Sequence, residues 1–329
     1  MSYTSILMQV SDRSHVGEVR RAVQTLANEL DFSKTENGNL AIIATELAGN
    51  LIKHAGKGEI VLRMLNESGI EILSLDNGKG MKDIAQCMED GYSTAGSPGT
   101  GLGAVQRLSN VFDIYSRPEK GTAILCQFFK KDSIIPENFI TGVVSLPLAG
   151  EEVCGDGWSI KHSGDVLQVL MVDGLGHGKY AFEAARLAKQ TFEKEDGLAP
   201  SEYLFAIHGA LRSTRGAAAA VLEIESHDNK LRFAGVGNIA GFVFGGVKER
   251  GFASFNGTLG HQLLKVQEIN LPWPKNGLII MHSDGLTTKW KLDDYPALRQ
   301  RHPSLIAGVL YRDFQRKRDD VTVLVIKEE

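Results

Sequence analysis

Only three cysteines occur in 329 residues, and no two of them form a CxxC pair. That scarcity argues against a disulfide framework and a structural zinc site, and it fits a reducing compartment. Long hydrophobic runs are missing as well: no apolar stretch approaches the ~20 residues of a membrane span. The N-terminal stretch lacks a secretory signal pattern, so a cytoplasmic chain with no membrane attachment is expected. Neither sign of charge dominates, with 36 Lys and Arg against 40 Asp and Glu, a formal net charge of -4 and a pI near 6.2. Such a chain lacks the basic surface that nucleic acid requires. There is no internal repeat and no low-complexity tract. The length exceeds that of a usual single domain, so two domains are expected, each with its own core. The polar break Lys130-Lys131-Asp132-Ser133, with Pro136 beyond it, is the natural boundary.

What the sequence does contain is a set of aspartates at strand ends. The run Leu170-Met171-Val172-Asp173-Gly174-Leu175-Gly176-His177-Gly178 reads as a buried strand that ends in one carboxylate among glycines. Asp173 is thereby presented at a strand end, a good place for a metal ligand. One carboxylate cannot hold a hard divalent cation, which needs several oxygen donors. Further aspartates stand in similar settings: Asp156 in Cys154-Gly155-Asp156-Gly157, Asp284 in His282-Ser283-Asp284-Gly285, and the doublet Asp319-Asp320 before the last strand. Asp-Gly is also ordinary turn chemistry, but four such sites together shift the balance toward a metal centre.

From about Asn138 to its end the chain resembles the PPM family of metal-dependent serine/threonine protein phosphatases, in its compact SpoIIE-like form. The resemblance extends to Arg215-Gly216-Ala217-Ala218, Gly235-Val236-Gly237-Asn238 and Gly257-Thr258-Leu259-Gly260. It implies an α-β-β-α sandwich over 138–329. It also implies a centre of two Mg2+ or Mn2+ in which Asp173 bridges, joined by the carbonyl of Gly174, with Asp156, Asp284 and Asp319 as the other carboxylate ligands. Asp320 is the lesser candidate of its doublet. Two cations about 4 Å apart clamp the attacking and leaving oxygens of an in-line displacement, so no protein nucleophile is needed. Asp173 is then the central catalytic ligand, and Cys87, Cys126 and Cys154 read as small buried residues. His177 either assists at the metal-bound water or leaving group, or caps the helix starting near Lys179. No helical flap is evident, which leaves substrate recognition to loops.

In the first half, residues 3 to 10 alternate as a strand, and Ser11 or Asp12 caps a helix to about Leu30, with Val16, Val19, Val23, Leu26 and Leu30 at helical spacing. A second helix is predicted from Thr35 to His54. Strands at Glu59 to Leu65 and Ile70 to Leu75, helices near Ile84 and after Gly101, and strands at Val111 to Ser116 and Thr122 to Phe129 complete a helix-on-sheet layer. Three stretches carry chemistry. Glu46 and Asn50 lie one helical turn apart and face the same way, suiting a proton and a metal ion. Asp76 ends a strand before the turn Asn77-Gly78-Lys79-Gly80, where it can accept from an adenine amino group, although Asp-Asn-Gly is also a good hairpin loop. Gly99-Thr100-Gly101-Leu102-Gly103 precedes a helical pattern, so its amides can cradle phosphate.

In this order and spacing the three stretches resemble the GHKL (Bergerat, HATPase_c) ATP-binding fold, a two-layer α/β sandwich shared by histidine kinases, gyrase-type ATPases and anti-sigma or switch serine kinases. An α+β chain is expected, with 1–133 as this domain and 138–329 as the phosphatase. The resemblance implies ATP with Mg2+, with Asn50 to magnesium and Asp76 to adenine. Gly78 and Gly80 fall to the nucleotide turn, Gly99, Thr100, Gly101 and Gly103 to phosphate, and Thr122 to the pocket wall. Glu46 becomes the general base. The short lid between Gly80 and Gly99, including Met88-Glu89-Asp90-Gly91-Tyr92-Ser93-Thr94, points to the switch-kinase branch. A histidine kinase fits poorly, because His15 lacks the acidic neighbour and proline of a phosphoacceptor.

The two halves then perform opposite chemistry on a STAS-domain anti-anti-sigma or stressosome-type protein, as in bacterial partner switching and stress response. The alternative is a phosphatase whose first domain only senses ATP or sequesters a partner, such as a sigma factor or downstream phosphatase. Oligomeric state stays open.

Overall fold

The computed structural model describes residues 5–88, 101–131, 138–245, 249–263 and 265–328. By contact the chain forms two compact units, 1–135 with 295–312, and 136–294 with 313–329. Among the described residues no helix is long and apolar enough to cross a membrane.

The first unit begins with β1 (Ile6–Val10) and α1 (Arg13–Glu29). Asp12 caps α1 by accepting from the Ser14 amide at 2.8 Å, and His15 Nδ1 accepts from the Ser11 and Asp12 amides. His15 is thus spent on a helix start. Ser33 and Glu36 form a capping box at the start of α2 (Lys34–Asn50), which continues into one π-helical turn, Leu51–Ala55. Strands β2 (Gly58–Leu65) and β3 (Gly69–Leu75), helices α3 (Ile84–Met88) and α4 (Gly101–Leu108), and strands β4 (Val111–Arg117) and β5 (Gly121–Phe129) follow. The antiparallel sheet runs β1-β2-β3-β5-β4. Val19, Val23 and Leu26 of α1 and Leu40, Ile43 and Leu47 of α2 bury themselves against Ile60, Leu62, Ile70, Ile72 and Ile124 of the sheet. Strand alternation sends every second residue of β2 and β3 to this face. The expected elements are therefore present, each within a few residues of its expected bounds.

The second unit holds β6 (Phe139–Leu146), β7 (Asp156–Ser163), β8 (Val166–Gly174), α5 (Lys179–Lys194), α6 (Pro200–Ala210), β9 (Ala217–Glu225), β10 (Lys230–Val236), β11 (Ala240–Phe244) and β12 (Arg250–Phe252). It continues with the short ribbon β13 (Gly257–Thr258) and β14 (Gln262–Leu263), β15 (Ile269–Pro272) and β16 (Leu278–His282). After α7 (Pro303–Phe314) it closes with β17 (Val321–Glu328). Two sheets form, ordered β15-β10-β9-β8-β7 and β12-β11-β16-β17-β6. Between them Val169, Met171, Leu222 and Phe233 meet Val143, Ile279, Met281 and Leu324. On the outer face of the first sheet, Leu170, Val172, Ala219 and Val221 bury against Ala184, Ala188, Phe192, Leu204 and Ile207 of α5 and α6. The alternation of one strand between two apolar partners explains why β8 reads as continuously hydrophobic.

A division at the polar break assigns residues 295–312 to the second domain, yet by contact they belong to the first unit. This segment, with most of α7, covers the sheet face opposite α1 and α2. At Gly308 the helix passes so close that an added Cβ would lie 3.2 Å from Leu75 Cδ2. Arg63 and Glu71 are buried on that face, with Arg63 Nε and Nη2 on Glu71 Oε1 at 3.0 and 2.8 Å. Gln127 and Ser304 donate to Glu71 Oε2 at 2.7 and 2.6 Å. The Asp113 carboxylate accepts from the His302 amide at 2.8 Å and from Arg301 at 3.2 Å. The Arg63–Glu71 pair is thereby fully engaged, as burial demands, whereas Arg301 Nε is buried without a partner among the described residues. The two-layer arrangement expected for this half thus carries cover on both faces of its sheet.

Candidate functional site

In the second unit the strand-end aspartates converge because β7 and β8 pair in register. Asp156 stands directly opposite Asp173. Glycines make the approach possible. A Cβ on Gly174 would fall 2.2 Å from the Ala181 carbonyl oxygen, and one on Gly285 would fall 1.9 Å from that of Asp320. Both Asp-Gly turns are pressed against other backbone where a side chain has no room. Asp320 is buried, and its carboxylate accepts from the Leu148 and Gly155 amides at 2.8 and 2.9 Å. It therefore fastens the entry to β7, while Asp319 stays partly open.

The side chains around the cluster are donors. Ser283 Oγ donates to Asp156 Oδ2 at 2.6 Å. The Asn238 amide donates to Asp284 Oδ2 at 2.7 Å and lies 3.3 Å from Asp173 Oδ2. Since a carboxylate only accepts, this fixes which end of the Asn238 amide faces the cluster. His177 pairs through Nδ1 with Glu151 at 2.6 Å. The helix after it starts at Gly178 without a side-chain cap, so His177 is not the cap. Glu151, Ser283 and the bridging role of Asn238 had no sequence signal beyond the turn glycine Gly237, whose φ is +95°.

Burial first, and then repulsion from Asp156, Asp284 and Asp319, push the Asp173 carboxyl up to about 9. Burial and the neighbouring Asp320 and Asp319 push Asp156 to about 7 against the donation of Ser283. Among the described residues, no three acidic, His or Cys side chains stand gathered on one point as a ready metal cage. Repulsion between carboxylates brought together in a dry site favours their protonated forms. The donor set, carboxylate and carbonyl oxygen alone, nevertheless suits a hard divalent cation, which relieves that repulsion and completes its shell with water. The thiols do not compete: burial pushes Cys126 up to about 12 and Cys154 well above the usual range, and Cys87, which is half-buried rather than buried as expected, is also raised, by burial and then by Asp83.

In the first unit Glu46 and Asn50 sit in the last two turns of α2, both partly exposed. A Cβ on Gly101 would lie 2.6 Å from Glu46 Oε2, so the glycine start of α4 passes directly over that carboxylate. Gly103 is buried in the same helix. Asp76 does not enter a hairpin; β3 ends there and the chain crosses to α3. Asp76 Oδ1 accepts from the Gly78 amide at 2.7 Å and the Thr122 amide at 3.2 Å, and Oδ2 has no partner among the described residues. Burial raises the Asp76 carboxyl above its usual value. Gly80, at φ +64°, lies where a Cβ would strike the Arg117 carbonyl oxygen at 2.0 Å. Thr122 is buried, with its hydroxyl 2.8 Å from that of Ser116. Arg312 Nη1 donates to the Asp76 main-chain oxygen at 2.9 Å, a contact that no local sequence pattern announced. A half-buried acid with one free oxygen fits a nucleobase amino group. Gly99, Thr100 and the lid residues 89–94 lie outside the described residues.

Comparison with known proteins follows the same division. The family model described as stage II sporulation protein E (SpoIIE) matches residues 163–328, and that described as a histidine kinase-like ATPase domain matches 10–128. The chain is 36% identical over 108 residues to serine/threonine-protein kinase RsbT of Bacillus subtilis (strain 168), spanning 32% of this chain and 81% of that protein. It is 26% identical over 152 residues to phosphoserine phosphatase RsbX of the same organism, spanning 46% and 76%. A solved chain from work on the bacterial stressosome as a modular system adapted to control secondary messenger signaling aligns with TM-score 0.54 and 26% identity, over 58% of this chain and all of that one. With the strand-end aspartates in one half and the glycine turns around Asp76 in the other, the chain belongs to the SpoIIE family, a PP2C-type phosphatase domain preceded by a histidine kinase-like, RsbT-related ATPase domain.

Proposed function

We propose that the second unit hydrolyses phosphoserine or phosphothreonine on a protein, and that the first unit transfers phosphate from ATP to a Ser or Thr of that protein or a relative of it. The in-register apposition of Asp156 and Asp173, with Asn238 spanning Asp173 and Asp284, carries the hydrolase reading. Asp156, Asp173, Asp284, Asp319 and the Gly174 carbonyl would hold two Mg2+ or Mn2+. Bound there, the ions supply Lewis acidity to the phosphoryl group and acidify water. Ser283 and Asn238 keep the carboxylates oriented. His177, engaged at Nδ1 by Glu151, keeps Nε2 for handing a proton to the departing Ser or Thr oxygen. No thiol takes part.

In the first unit Asp76 Oδ2 accepts from the adenine amino group, and Asn50 holds the magnesium of the nucleotide. Gly78 and Gly80 line the nucleotide turn, Gly99, Thr100, Gly101 and Gly103 offer amides to phosphate, and Thr122 walls the pocket. Glu46 takes the proton of the partner hydroxyl. The RsbT likeness supports a kinase over a plain nucleotide sensor. The likenesses to a phosphoserine phosphatase and to a stressosome chain support a phosphoserine protein as partner, which in this reading is a STAS-domain protein of a cytoplasmic partner-switching system.

The deciding experiment follows phosphate on a STAS-domain partner by intact mass, with wild type, Glu46→Ala and Asp173→Asn, magnesium-ATP and manganese. Accumulation of phosphopartner with Asp173→Asn but not with Glu46→Ala is expected. If no variant ever phosphorylates the partner while wild type strips a prephosphorylated one, the first unit is a nucleotide-binding module and the kinase reading is wrong. If wild type leaves phosphopartner intact with either metal, the hydrolase reading fails.

A further inference from the structure

Six large apolar side chains are exposed among the described residues, and two of them, Leu175 at 45% and Tyr180 at 65%, flank the loop that follows Asp173. Between them stands a cation. The Arg215 guanidinium lies over the Tyr180 ring, 4.5 Å from its centroid. A Cβ on Gly176 would sit 3.4 Å from Arg215 Nη1, so the guanidinium rests against the same loop. The next residue, Gly216, ties this turn to the loop by accepting from the Leu175 amide at 3.0 Å. Arg215 has no ion pair and no hydrogen bond among the described residues, so its N–H donors are unspent while its plane is held by the ring.

We propose that Arg215, steadied by Tyr180 and bordered by Leu175, is the docking lip that takes the phosphate of a phosphoserine or phosphothreonine segment and sets it against the aspartate cluster. This rests on the hydrolase reading of the same unit. Two divalent ions would neutralise four carboxylates and leave little excess positive charge for a phosphate dianion, so a cation at the rim adds to its capture. A guanidinium offers two parallel N–H donors to phosphate oxygens, and stacking on an aromatic ring reduces the freedom lost when they engage. Leu175 and Tyr180 supply the apolar edge on which flanking peptide residues can rest. Binding energy from such remote contacts helps to position the reacting group.

The test uses the full chain loaded with manganese. Inorganic phosphate is titrated calorimetrically, and hydrolysis is measured on a phosphoserine peptide and on p-nitrophenyl phosphate. Arg215→Ala is expected to weaken phosphate binding and raise the peptide KM by about tenfold or more, the worth of one charge-assisted contact, with a smaller change in kcat. Arg215→Lys should recover part of the loss. Leu175→Ala should raise KM for the peptide by a larger factor than KM for p-nitrophenyl phosphate. Phosphate affinity and peptide KM within twofold of wild type in Arg215→Ala overturn the proposal. If wild type hydrolyses neither substrate while phosphate binding still depends on Arg215, the anion site stands and the hydrolase reading falls.

Discussion

Replacing Asn238 with Ala removes the one amide that spans Asp173 and Asp284. Of its two contacts, the 2.7 Å approach to Asp284 has full hydrogen-bond geometry and the 3.3 Å approach to Asp173 is stretched. A hydrogen bond to a charged group is worth about 1.5–3 kcal/mol, and the longer contact adds little to that. Groups that orient metal-binding carboxylates typically contribute 10- to 100-fold in metal affinity, about 1.4–2.7 kcal/mol, which agrees with one such bond. The half-saturating manganese concentration for hydrolysis of a phosphoserine peptide should therefore rise by about one order of magnitude or more. Calorimetric titration of the metal should give the same factor. Asn238→Asp separates orientation from charge. A purely Coulombic account expects the added carboxylate to tighten cation binding, whereas loss of the donor expects weakening despite it. An Asn238→Ala half-saturation within twofold of wild type would refute the reasoning.

Glu71→Ala leaves Arg63 buried without its carboxylate, which should cost about 3–5 kcal/mol and lower the unfolding transition of the first unit by roughly 10 °C in calorimetry; a shift under a degree or two speaks against the buried pair. Burial alone would raise the Glu71 carboxyl, but Arg63, Ser304 and Gln127 outweigh it and hold the carboxyl below its usual 4.5. Its contribution is thus fully present above pH 4.5 and fades as pH falls through the lower folded value, so Glu71→Gln should flatten the acid limb of the stability curve. Gly80→Ala drives a Cβ into the Arg117 carbonyl oxygen and should abolish binding of a fluorescent ATP analogue. Wild-type binding in that variant would exclude Gly80 from the nucleotide turn.

The local features of both halves were legible because local physics makes them. Asp173 and Asp284 stand where an apolar run meets glycine, and the first helix announced itself by spacing and by a cap at Ser11 or Asp12, of which the structure uses Asp12. The partners of the aspartates were not legible. Ser283, Glu151 and Asn238 reach the cluster from separate strands and loops, and no periodicity links residues so far apart in sequence. The same holds for the placement of 295–312. A clue was present in β3, where Leu73 and Leu75 are as apolar as Ile70 and Ile72 on the opposite face, the mark of a strand buried on both sides. Glu71 masked it, because a carboxylate in a strand reads as solvent-facing until its partners from β2, β5 and α7 are known.

The separation of the first unit into two stretches, 1–135 and 295–312, bears on biosynthesis. A ribosome delivers β1 to β5 early, yet the sheet face bearing Leu73, Leu75 and the Arg63–Glu71 pair stays uncovered until α7 emerges near the end of translation. N-terminal domains ordinarily fold first during synthesis. Here the residue that braces Asp76, Arg312, is translated after Asp156, Asp173 and Asp284 and shortly before Asp319. The first unit therefore reaches its finished form only when the strand-end aspartates are almost all synthesised, so neither unit is completed long ahead of the other.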